Sequence, residues 1–477
     1  IERALDIIQA VNGEKIDIFN LPLDDQKTFE LLGNAETTGV FQLESSGMKR
    51  YIKELKPTSL DDVAVMVALY RPGPMQFIDS FIKRKNGREE IVYPHEMTKP
   101  ALEVTYGIPV YQEQVMQISK DMAGFTGGEA DKLRKAMGKK IAKLMAEMKE
   151  KFIKGSMKNG VSQKEAEKVF SMLEDFAAYG FNKSHAVCYA MIAYQTAYLK
   201  AHHPECFMAA LLTSDLDDTD RIGIEIEECN KMGIQVLPPD VNESFVDFGV
   251  VKDTGNIRFG LAAIKGIGET PARIITRERK KNGPFKSLED FIDRMIKTDV
   301  EGVGERSVLN KKILESLAKS GALDNLVERN QILEGLDIIL KRIQESTKQK
   351  KSAQIGLFGE VLSADIELGK LELPEADEST QAQRLVWEKE HLGIYLSAHP
   401  LREIGPLLKV AVPTQIASLD LSMEGRRVKI GGILSEIKKI NTRSGQPMAF
   451  AKIEDLSGKT EILVFPRTLS DTAELWV

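Results

Sequence analysis

Apolar residues recur every three to four positions over residues 1–215, which predicts a mostly helical region. Turn-forming dipeptides divide this pattern into separate helices, at Asn86-Gly87, Gly127-Gly128 and Asn159-Gly160. The longest apolar run covers residues 186–199, but Gln195 interrupts it, and the run is shorter than the ~20 residues that a bilayer span needs. It therefore predicts a buried helix, and we expect no membrane association.

The pattern changes after residue 233. Residues 245–251 and 257–264 have strand-like patterns on either side of a glycine-containing turn at residues 252–256, which predicts a β-hairpin. Helical spacing then returns over residues 264–322.

Two polar stretches follow. The Lys-, Gln- and Ser-rich segment 344–354 lacks apolar periodicity, and we expect residues 348–353 to be flexible. The acidic segment 362–383 is also expected to be loose, and a short helix is predicted near residues 383–393. Three alternating runs end the chain and predict three strands, at residues 428–440, 448–455 and 460–465.

The length and charge of the chain limit its class. With 477 residues, of which 42% are hydrophobic, it is long enough for about three domains. The net charge of −6 argues against a protein that coats nucleic acid along its whole surface. The charge is unevenly distributed, however: residues 131–158 and 265–286 are basic, whereas residues 360–390 are acidic. Since salt screens exposed charges over about 8 to 10 Å, the basic stretches could still hold phosphates.

The cysteines indicate a reducing compartment. Cys188, Cys206 and Cys229 are odd in number and lack metal-ligand spacing, so we interpret them as reduced core thiols and expect a cytoplasmic protein. No metal site is predicted. The sequence opens without a methionine in a helical pattern, so we expect a piece of a longer polypeptide.

A first candidate site is a cluster of cations in one helical stretch, formed by Lys132, Arg134, Lys135, Lys139, Lys140 and Lys143. Lys132, Lys135 and Lys139 share one face, and Arg134 lies about 100° from Lys135. Charge alone leaves two interpretations open, because the cluster could bind phosphate or could simply be a solvated basic face.

A second candidate site is the polar run from Asn182 to His185. Asn182 and Ser184 are residue types that cap helices, so a helix beginning near Ala186 would present its amides, Lys183 and His185 at one end. The alternative is plain capping without a ligand.

A third candidate site is a hairpin between helices at Lys265, Gly266 and Gly268. Glycines allow backbone amides to approach a phosphate, and Lys265 adds charge. Such contacts would not depend on base sequence. The alternative is a tight turn used only for packing.

Several phrases resemble the bacterial replicative DNA polymerase III alpha subunit, in the order of that family. They are FQLESSGMKR (41–50), LYRPGP (69–74), YGIPVYQEQVMQ (106–117), LRKAMGKK (133–140), AAYGFNKSHAVCYA (177–190), the helix-hairpin-helix stretch (264–279) and QIGLF (354–358). The resemblance implies a multidomain, mainly α protein. It divides the chain into fingers (1–215), a clamp-binding region with the helix-hairpin-helix at 264–322 (216–360), an acidic linker with short helices (361–424), and the first strands of a truncated β OB-fold (425–477).

The resemblance also assigns roles to residues. In the family, two adjacent arginines of the basic helix contact the triphosphate of the incoming nucleotide, and they match Arg134 and Lys135. Lys135 departs from this pair, because lysine lacks the planar fork of arginine. Asn182, Lys183, Ser184 and His185 are placed against the nascent base pair, where Lys183 or His185 acting as a general acid is an alternative.

The implied partners are primer-template DNA, dNTP and the sliding clamp, which Gln354, Leu357 and Phe358 would bind. Clamp-loader tau and a proofreading subunit are expected to bind through other regions. No catalytic residue is predicted here, since the family's palm aspartates and their Mg²⁺ belong upstream, so this chain alone is expected to be inactive. We interpret Asp217, Asp218 and Asp220 as part of a solvated turn between helices and not as metal-binding carboxylates.

Two other classes of protein remain open. The chain could be a non-enzymatic DNA-binding adaptor with a helix-hairpin-helix and an OB-fold, or a scaffold tethered to the clamp. The adaptor hypothesis does not explain residues 1–215 or the polar run from Asn182 to His185. A scaffold would require only the QIGLF peptide to bind the clamp. Within the family, the OB-fold after the hairpin favours the form without an inserted exonuclease, and QIGLF favours a replicative copy over the error-prone paralogue.

Overall fold

The structure, a computed structural model, describes the chain apart from residues 139–140, 177–178, 298–307, 355–369, 398–399, 402–404, 421–422, 443, 456 and 477. The chain divides into two compact units. Unit 1 contains Ile1–Leu216, Ile224–Gln235 and Gly249–Ile257, and unit 2 contains Asp217–Gly223, Val236–Phe248 and Arg258–Val477.

Helices dominate the first part of the chain, as the apolar spacing predicts. They are α1 (Glu2–Asn12), α2 (Gln26–Gly33), α3 (Ser46–Leu55), α4 (Leu60–Leu69), α5 (Ile78–Lys85), α6 (Lys99–Leu102), α7 (Gln112–Ala123), α8 (Gly127–Gly138), α9 (Ala142–Lys158), α10 (Gln163–Phe176), α11 (Lys183–His202), α12 (Pro204–Ser214) and α13 (Thr219–Lys231). Short 3-10 turns lie at Pro74–Phe77, Glu96–Thr98 and Glu103–Thr105.

The rest of the chain mixes short strands with helices. In order these are β1 (Val236–Leu237), β2 (Gly249–Val251), β3 (Asn256–Arg258), α14 (Glu269–Asn282), α15 (Leu288–Lys297), α16 (Lys311–Lys319), α17 (Arg329–Glu334), α18 (Leu336–Gln354), α19 (Gln381–Leu392), α20 (Gly405–Ala411), β4 (Ile433–Asn441), β5 (Pro447–Glu454), β6 (Lys459–Val464) and α21 (Pro466–Asp471). Further 3-10 turns lie at Leu261–Ala263, Ile416–Ser418 and Ala473–Leu475. The mainly α fold class is therefore confirmed.

The core of unit 1 is built around α11, the buried helix that the sequence predicts. Alanines occupy one face of this helix at spacings of three and four: Ala186, Ala190, Ala193, Ala197 and Ala201. All five are buried in one cluster with Val63, Ala64 and Leu69 of α4. Since alanine has only a Cβ, this face lets the α4 backbone approach closely. A second cluster of buried residues joins α7, α8, α9 and α10, with Phe152 and Phe170 fully buried at its centre.

The last strands form an antiparallel meander in the order β4-β5-β6. Ala451 pairs with Ile437 of β4 and with Ile462 of β6, and this face packs on Leu469 and Trp476. A register shift between Leu434 and Glu436 interrupts the pairing of β4. The three strands and the short helix α19 that the sequence predicts are confirmed, and so is the hairpin turn between β2 and β3.

Three expectations were wrong. Residues 348–353 are not loose, because α18 continues to Gln354. Cys188 is exposed, whereas Cys206 and Cys229 are buried and burial raises the pKa of each of these two thiols to about 12. The helix expected near Ala186 begins earlier, at Lys183.

In the described part of the chain, no helix is long and apolar enough to cross a membrane.

A buried ion pair fixes α11 within unit 1. The Nζ atom of Lys200 is 2.5 Å from Glu228 Oε1, and it also donates to the carbonyl oxygens of Glu36 (2.7 Å) and Thr38 (3.0 Å). The Lys200 side chain is fully buried, and this desolvation lowers its pKa. Burial alone would raise the pKa of Glu228, but the hydrogen bond from Lys200 holds it below its ordinary value.

Lys200→Met should lower the free energy of unfolding by about 3 to 5 kcal/mol, because it leaves the Glu228 carboxylate buried without its cation. Lys154→Met is the matched control, since Lys154 pairs with Glu150 on an exposed surface, and it should change stability by less than about 0.5 kcal/mol. Chemical denaturation followed by far-ultraviolet circular dichroism measures both changes. Equal effects of the two substitutions would show that the buried pair is not a stability determinant.

Candidate functional site

The cations of α8 share one acidic partner. Arg134 donates from Nε (2.9 Å) and Nη2 (2.8 Å) to Oδ1 of Asp131, and Lys135 Nζ lies 2.7 Å from Oδ2. Hydrogen bonding from Lys135, and to a smaller extent from Arg134, lowers the pKa of Asp131. Arg134 and Lys135 remain 36% and 56% exposed, so an incoming anion could reach both.

Of the other predicted members of this cluster, the structure describes two. Lys132 and Lys143 are exposed on α8 and α9. Lys139 and Lys140 lie outside the described residues. Among the described members of the cluster, Arg134 and Lys135 are the two that Asp131 brings together.

Gln112, the first residue of α7, connects α8 to the polar run. Its Oε1 accepts from Arg134 Nη1 at 3.4 Å, and its Nε2 donates to the Gly180 carbonyl at 3.1 Å. The backbone adds two further bonds, because Gln112 N donates to Phe181 O (2.8 Å) and Phe181 N donates to Val110 O (3.1 Å). Residues far apart in sequence are thereby held at one place.

Glu113 organises the beginning of α11. Its carboxylate accepts from Asn182 Nδ2 and from the Lys183 backbone amide, both at 2.9 Å. Asn182 is the N-cap, and its Oδ1 accepts from the His185 amide at 2.8 Å. The prediction that Asn182 caps the helix is confirmed, whereas Ser184 lies in the first turn and is exposed.

Aromatic rings line the same region. The His185 ring centroid lies 5.3 Å from that of Phe181 and 4.2 Å from that of Tyr189, which in turn lies 5.3 Å from Phe41. The guanidinium of Arg71 sits 4.4 Å from the Phe181 ring centroid. It is fixed there by its own donation to Ala68 O and Tyr179 O, both at 2.9 Å.

Lys183 also faces an aromatic ring, with its Nζ 5.8 Å from the ring centroid of Tyr111. Tyr111 is buried at the beginning of α7, and this burial raises the pKa of its hydroxyl. We call the set of Arg134, Lys135, Asp131, Gln112, Glu113 and residues 180–185 the finger site. Its exposed cations, amide groups and flat rings suit a ligand that combines phosphates with a base.

Sequence reasoning missed Arg71, Gln112, Glu113 and Asp131. Arg71, Gln112 and Glu113 lie in two of the stretches that resemble the family. Nothing in the local sequence of these stretches indicates that their side chains contact other parts of the site. Asp131 could have been found, because acids three and four residues before Arg134 and Lys135 lie on the same helix face.

The helix hairpin of unit 2 has the backbone form that the sequence predicts. Gly266 and Gly268 have φ angles of +98° and +68°, which favour glycine. A Cβ on Gly266 would lie 2.7 Å from Ser316 Oγ, whereas one on Gly268 would meet nothing within 4 Å. Gly268 caps α14 without a side-chain hydrogen bond, and the Lys265 side chain is exposed beside it.

The same hairpin also has a packing role. Lys265 N donates to His391 O at 2.9 Å, and Ser316 Oγ donates to Lys265 O at 3.0 Å. Packing and an open helix N-terminus therefore coexist at this turn.

Of the predicted clamp peptide, Gln354 is the last residue of α18, and Leu357 and Phe358 lie outside the described residues.

Comparisons with known proteins agree with these features. A family model described as the bacterial DNA polymerase III alpha subunit finger domain matches residues 1–160, and a helix-hairpin-helix motif model matches residues 233–332. The second match is broader than the predicted range of 264–322.

Among the described residues, no group of three or more His, Cys, Asp or Glu side chains could hold a metal ion.

Curated relatives align along nearly the whole chain. The DNA polymerase III subunit alpha of Thermus aquaticus is 44% identical over 98% of this chain, that of Borreliella burgdorferi is 43% identical over 98%, and that of Escherichia coli K12 is 40% identical over 98%. The chain spans only 38%, 40% and 40% of these relatives, respectively.

Asp131→Asn should raise the affinity of the chain for inorganic tripolyphosphate about two- to five-fold at low ionic strength, because the cations lose a competing charge at an exposed site. Isothermal titration measures the change. Asp121→Asn is the matched control, since Asp121 bonds only Gln117 on the neighbouring helix α7 among the contacts described, and it should leave affinity unchanged. An unchanged affinity for Asp131→Asn would mean that Asp131 does not restrain the two cations.

Proposed function

Because the chain belongs to the family of bacterial DNA polymerase III alpha subunits, we propose that the finger site binds the incoming nucleotide of a DNA-directed DNA polymerase. The observation that carries this proposal is that the Gln112 side chain contacts both Arg134 and the Gly180 carbonyl, while the neighbouring Glu113 accepts from Asn182. An adaptor or a scaffold would have no use for such a convergence. The polymerase activity is proposed for the whole alpha subunit, since this chain spans only about two fifths of the length of the relatives it matches.

Arg134 and Lys135 contact the triphosphate of the nucleotide in this proposal. The guanidinium of Arg134 presents a planar fork, which pairs with two phosphate oxygens, while Lys135 contributes a point charge. Asp131 holds both side chains in place before the nucleotide arrives. Because the hydrogen bonds to Asp131 are exposed, exchanging them for bonds to phosphate costs little.

The polar run contacts the nascent base pair. Asn182, Ser184 and His185 supply short polar groups at the first turn of α11, and the His185 and Tyr189 rings supply flat faces. Lys183 stands over the Tyr111 ring at the same end of the helix. Glu113 keeps this end in position through its two hydrogen bonds.

Catalysis itself is assigned to Mg²⁺ ions on palm carboxylates outside this chain. Metal ions of this kind activate the attacking oxygen and stabilise the departing one. The residues of the finger site would then bind and orient the nucleotide, without a chemical step of their own.

The hairpin of unit 2 binds duplex DNA in this proposal. Gly268 leaves the first amides of α14 open, and the exposed Lys265 adds a positive charge next to them. Both features attract a backbone phosphate without reading the bases. The meander of β4, β5 and β6 is assigned to an OB-fold, and the clamp-loader and proofreading subunits to regions elsewhere in a cytoplasmic replication complex.

Arg134→Ala, placed in a full-length polymerase that contains this chain, should lower kcat/KM for nucleotide about ten- to a hundred-fold, because a charge-assisted hydrogen bond to the triphosphate is lost. Lys135→Arg should be tolerated. Lys132→Ala, an exposed cation on the same helix, is the matched control and should have little effect. Unchanged nucleotide kcat/KM for Arg134→Ala, or an equal loss of primer-template affinity, would refute the assignment.

The pentapeptide from Gln354 to Phe358 is assigned to the sliding clamp on its resemblance alone. Leu357 and Phe358 would fill an apolar pocket, and Gln354 would orient the peptide. Leu357→Ala combined with Phe358→Ala should weaken clamp binding by about 30-fold or more, since anchors of this kind dominate small interfaces. Val361→Ala with Leu362→Ala is the control, and equal clamp affinities for the two double variants in a surface titration would reject the motif.

A further inference from the structure

Unit 2 contains a groove of about 1040 Å³ between α14 and the loop of residues 238–248. Arg273, Arg277 and Lys280 line it on the helix side, and Phe245 and Val246 line it on the loop side. We call this the Phe245 groove. The hairpin residues Lys265, Gly266 and Gly268 do not line it.

Phe245 is held in an exposed position by its backbone. The residue is 49% exposed, and its carbonyl accepts from the Leu261 amide at 3.0 Å. The neighbouring residues are fixed in the same way, since Ala262 N donates to Val246 O (2.9 Å) and Ser244 Oγ donates to Phe259 O (2.8 Å). The ring is thus presented to solvent by a rigid loop, and little order has to be gained when a ligand stacks on it.

The opposite end of the loop is also anchored. Asn242 and Phe285 form a reciprocal pair, in which Asn242 Nδ2 donates to Phe285 O at 2.9 Å and Phe285 N donates to Asn242 Oδ1 at 2.7 Å. Arg279 Nη1 donates to Val241 O at 2.8 Å, which ties the loop to α14. The two walls of the groove therefore have a fixed separation.

The helix wall presents a row of cations. Arg273, Arg277 and Lys280 are spaced by four and three residues, so they share one face of α14, and all three are exposed. With a rise of about 1.5 Å per residue, the row spans about 10 Å. Two acids act on Arg273: Glu269 forms an ion pair with it and, through this hydrogen bond, is the main cause that raises the Arg273 pKa, to which the charge of Asp247 adds a smaller effect. Lys280 lies at the other end of the row from Arg273.

An exposed aromatic ring beside a row of cations matches one class of ligand. Single-stranded nucleic acid stacks its bases on aromatic side chains while its phosphates follow a basic groove. A base inside a duplex is covered on both faces by its neighbours, so it could not reach Phe245. We propose that the Phe245 groove binds an unpaired stretch of DNA, with one base against Phe245 and neighbouring phosphates on Arg277 and Lys280.

The test uses the full 477-residue chain and two fluorescent probes, a dT oligonucleotide of about 16 nucleotides and a duplex of the same length. Fluorescence anisotropy at several salt concentrations gives the affinity for each probe. Phe245→Ala should weaken binding of the dT probe about ten-fold, whereas Phe245→Tyr should retain it, because stacking requires only a flat ring. Duplex affinity should change less than about two-fold in both variants.

The charged residues have their own matched control. Arg277→Gln with Lys280→Gln should reduce the salt slope for the dT probe by about 1.4, as expected for two lost contacts to a single strand. Lys281→Gln changes an exposed cation that is adjacent in sequence but does not line the groove, and it should leave the slope nearly unchanged.

The proposal is overturned if Phe245→Ala leaves the dT affinity unchanged, or if it weakens dT and duplex equally. Binding of an acidic peptide without binding of dT would overturn it as well. Lys265→Gln separates this proposal from duplex binding at the hairpin. If Lys265→Gln keeps its duplex affinity while Phe245→Ala loses affinity for the dT probe, the assignment of duplex binding to the hairpin fails. The proposal that the Phe245 groove binds single-stranded DNA is then retained.

Discussion

The carboxylate of Glu113 serves two helix N-termini at once, and the finger site depends on this arrangement. Glu113 lies in the first turn of α7, where a negative charge is favourable, and it accepts from Asn182 and the Lys183 amide at the beginning of α11. Without such an acceptor, two positive helix ends would face each other. The constraint fixes residues 180–183 beside α7, and Gln112 then extends the connection to Arg134.

The finger site and the Phe245 groove place different groups beside their cations. In the finger site, Asp131 restrains the cations, so an incoming anion replaces an existing partner. In the Phe245 groove, Arg277 and Lys280 stand beside an aromatic ring on a rigid loop. The first arrangement suits a triphosphate that must bind and leave at each turnover, and the second suits a strand that is held by many weak contacts.

The sequence predicted the helices well, because their signals are local. The buried helix over residues 186–199, the Asn182 cap and the glycine turn at 266 and 268 follow from spacing and backbone chemistry, and the structure confirms them. The polar segment 344–354 was misjudged, since it is helical although it lacks an apolar face of its own.

The partners of the site residues could not be predicted from the sequence. Gln112 and Gly180 are far apart along the chain, and only the packing of α7 against residues 180–182 brings them together. Phe245 gave no signal either, because the sequence predicted residues 245–251 as one strand, in which a phenylalanine is normally part of a core, whereas the strand begins only at Gly249. The exposure of Phe245 results from the hydrogen bonds that Leu261 and Ala262 make to the loop before this strand.

The central claim is that Arg134 binds the nucleotide from a position that the Gln112 side chain helps to fix. A double-mutant cycle of Gln112→Ala and Arg134→Ala tests it most directly, with the affinity of each variant for a deoxynucleoside triphosphate measured by isothermal titration. The account predicts that Gln112→Ala weakens binding in the parent chain but causes no further loss once Arg134 is removed. Additive losses would contradict it, because they would mean that the two residues act independently.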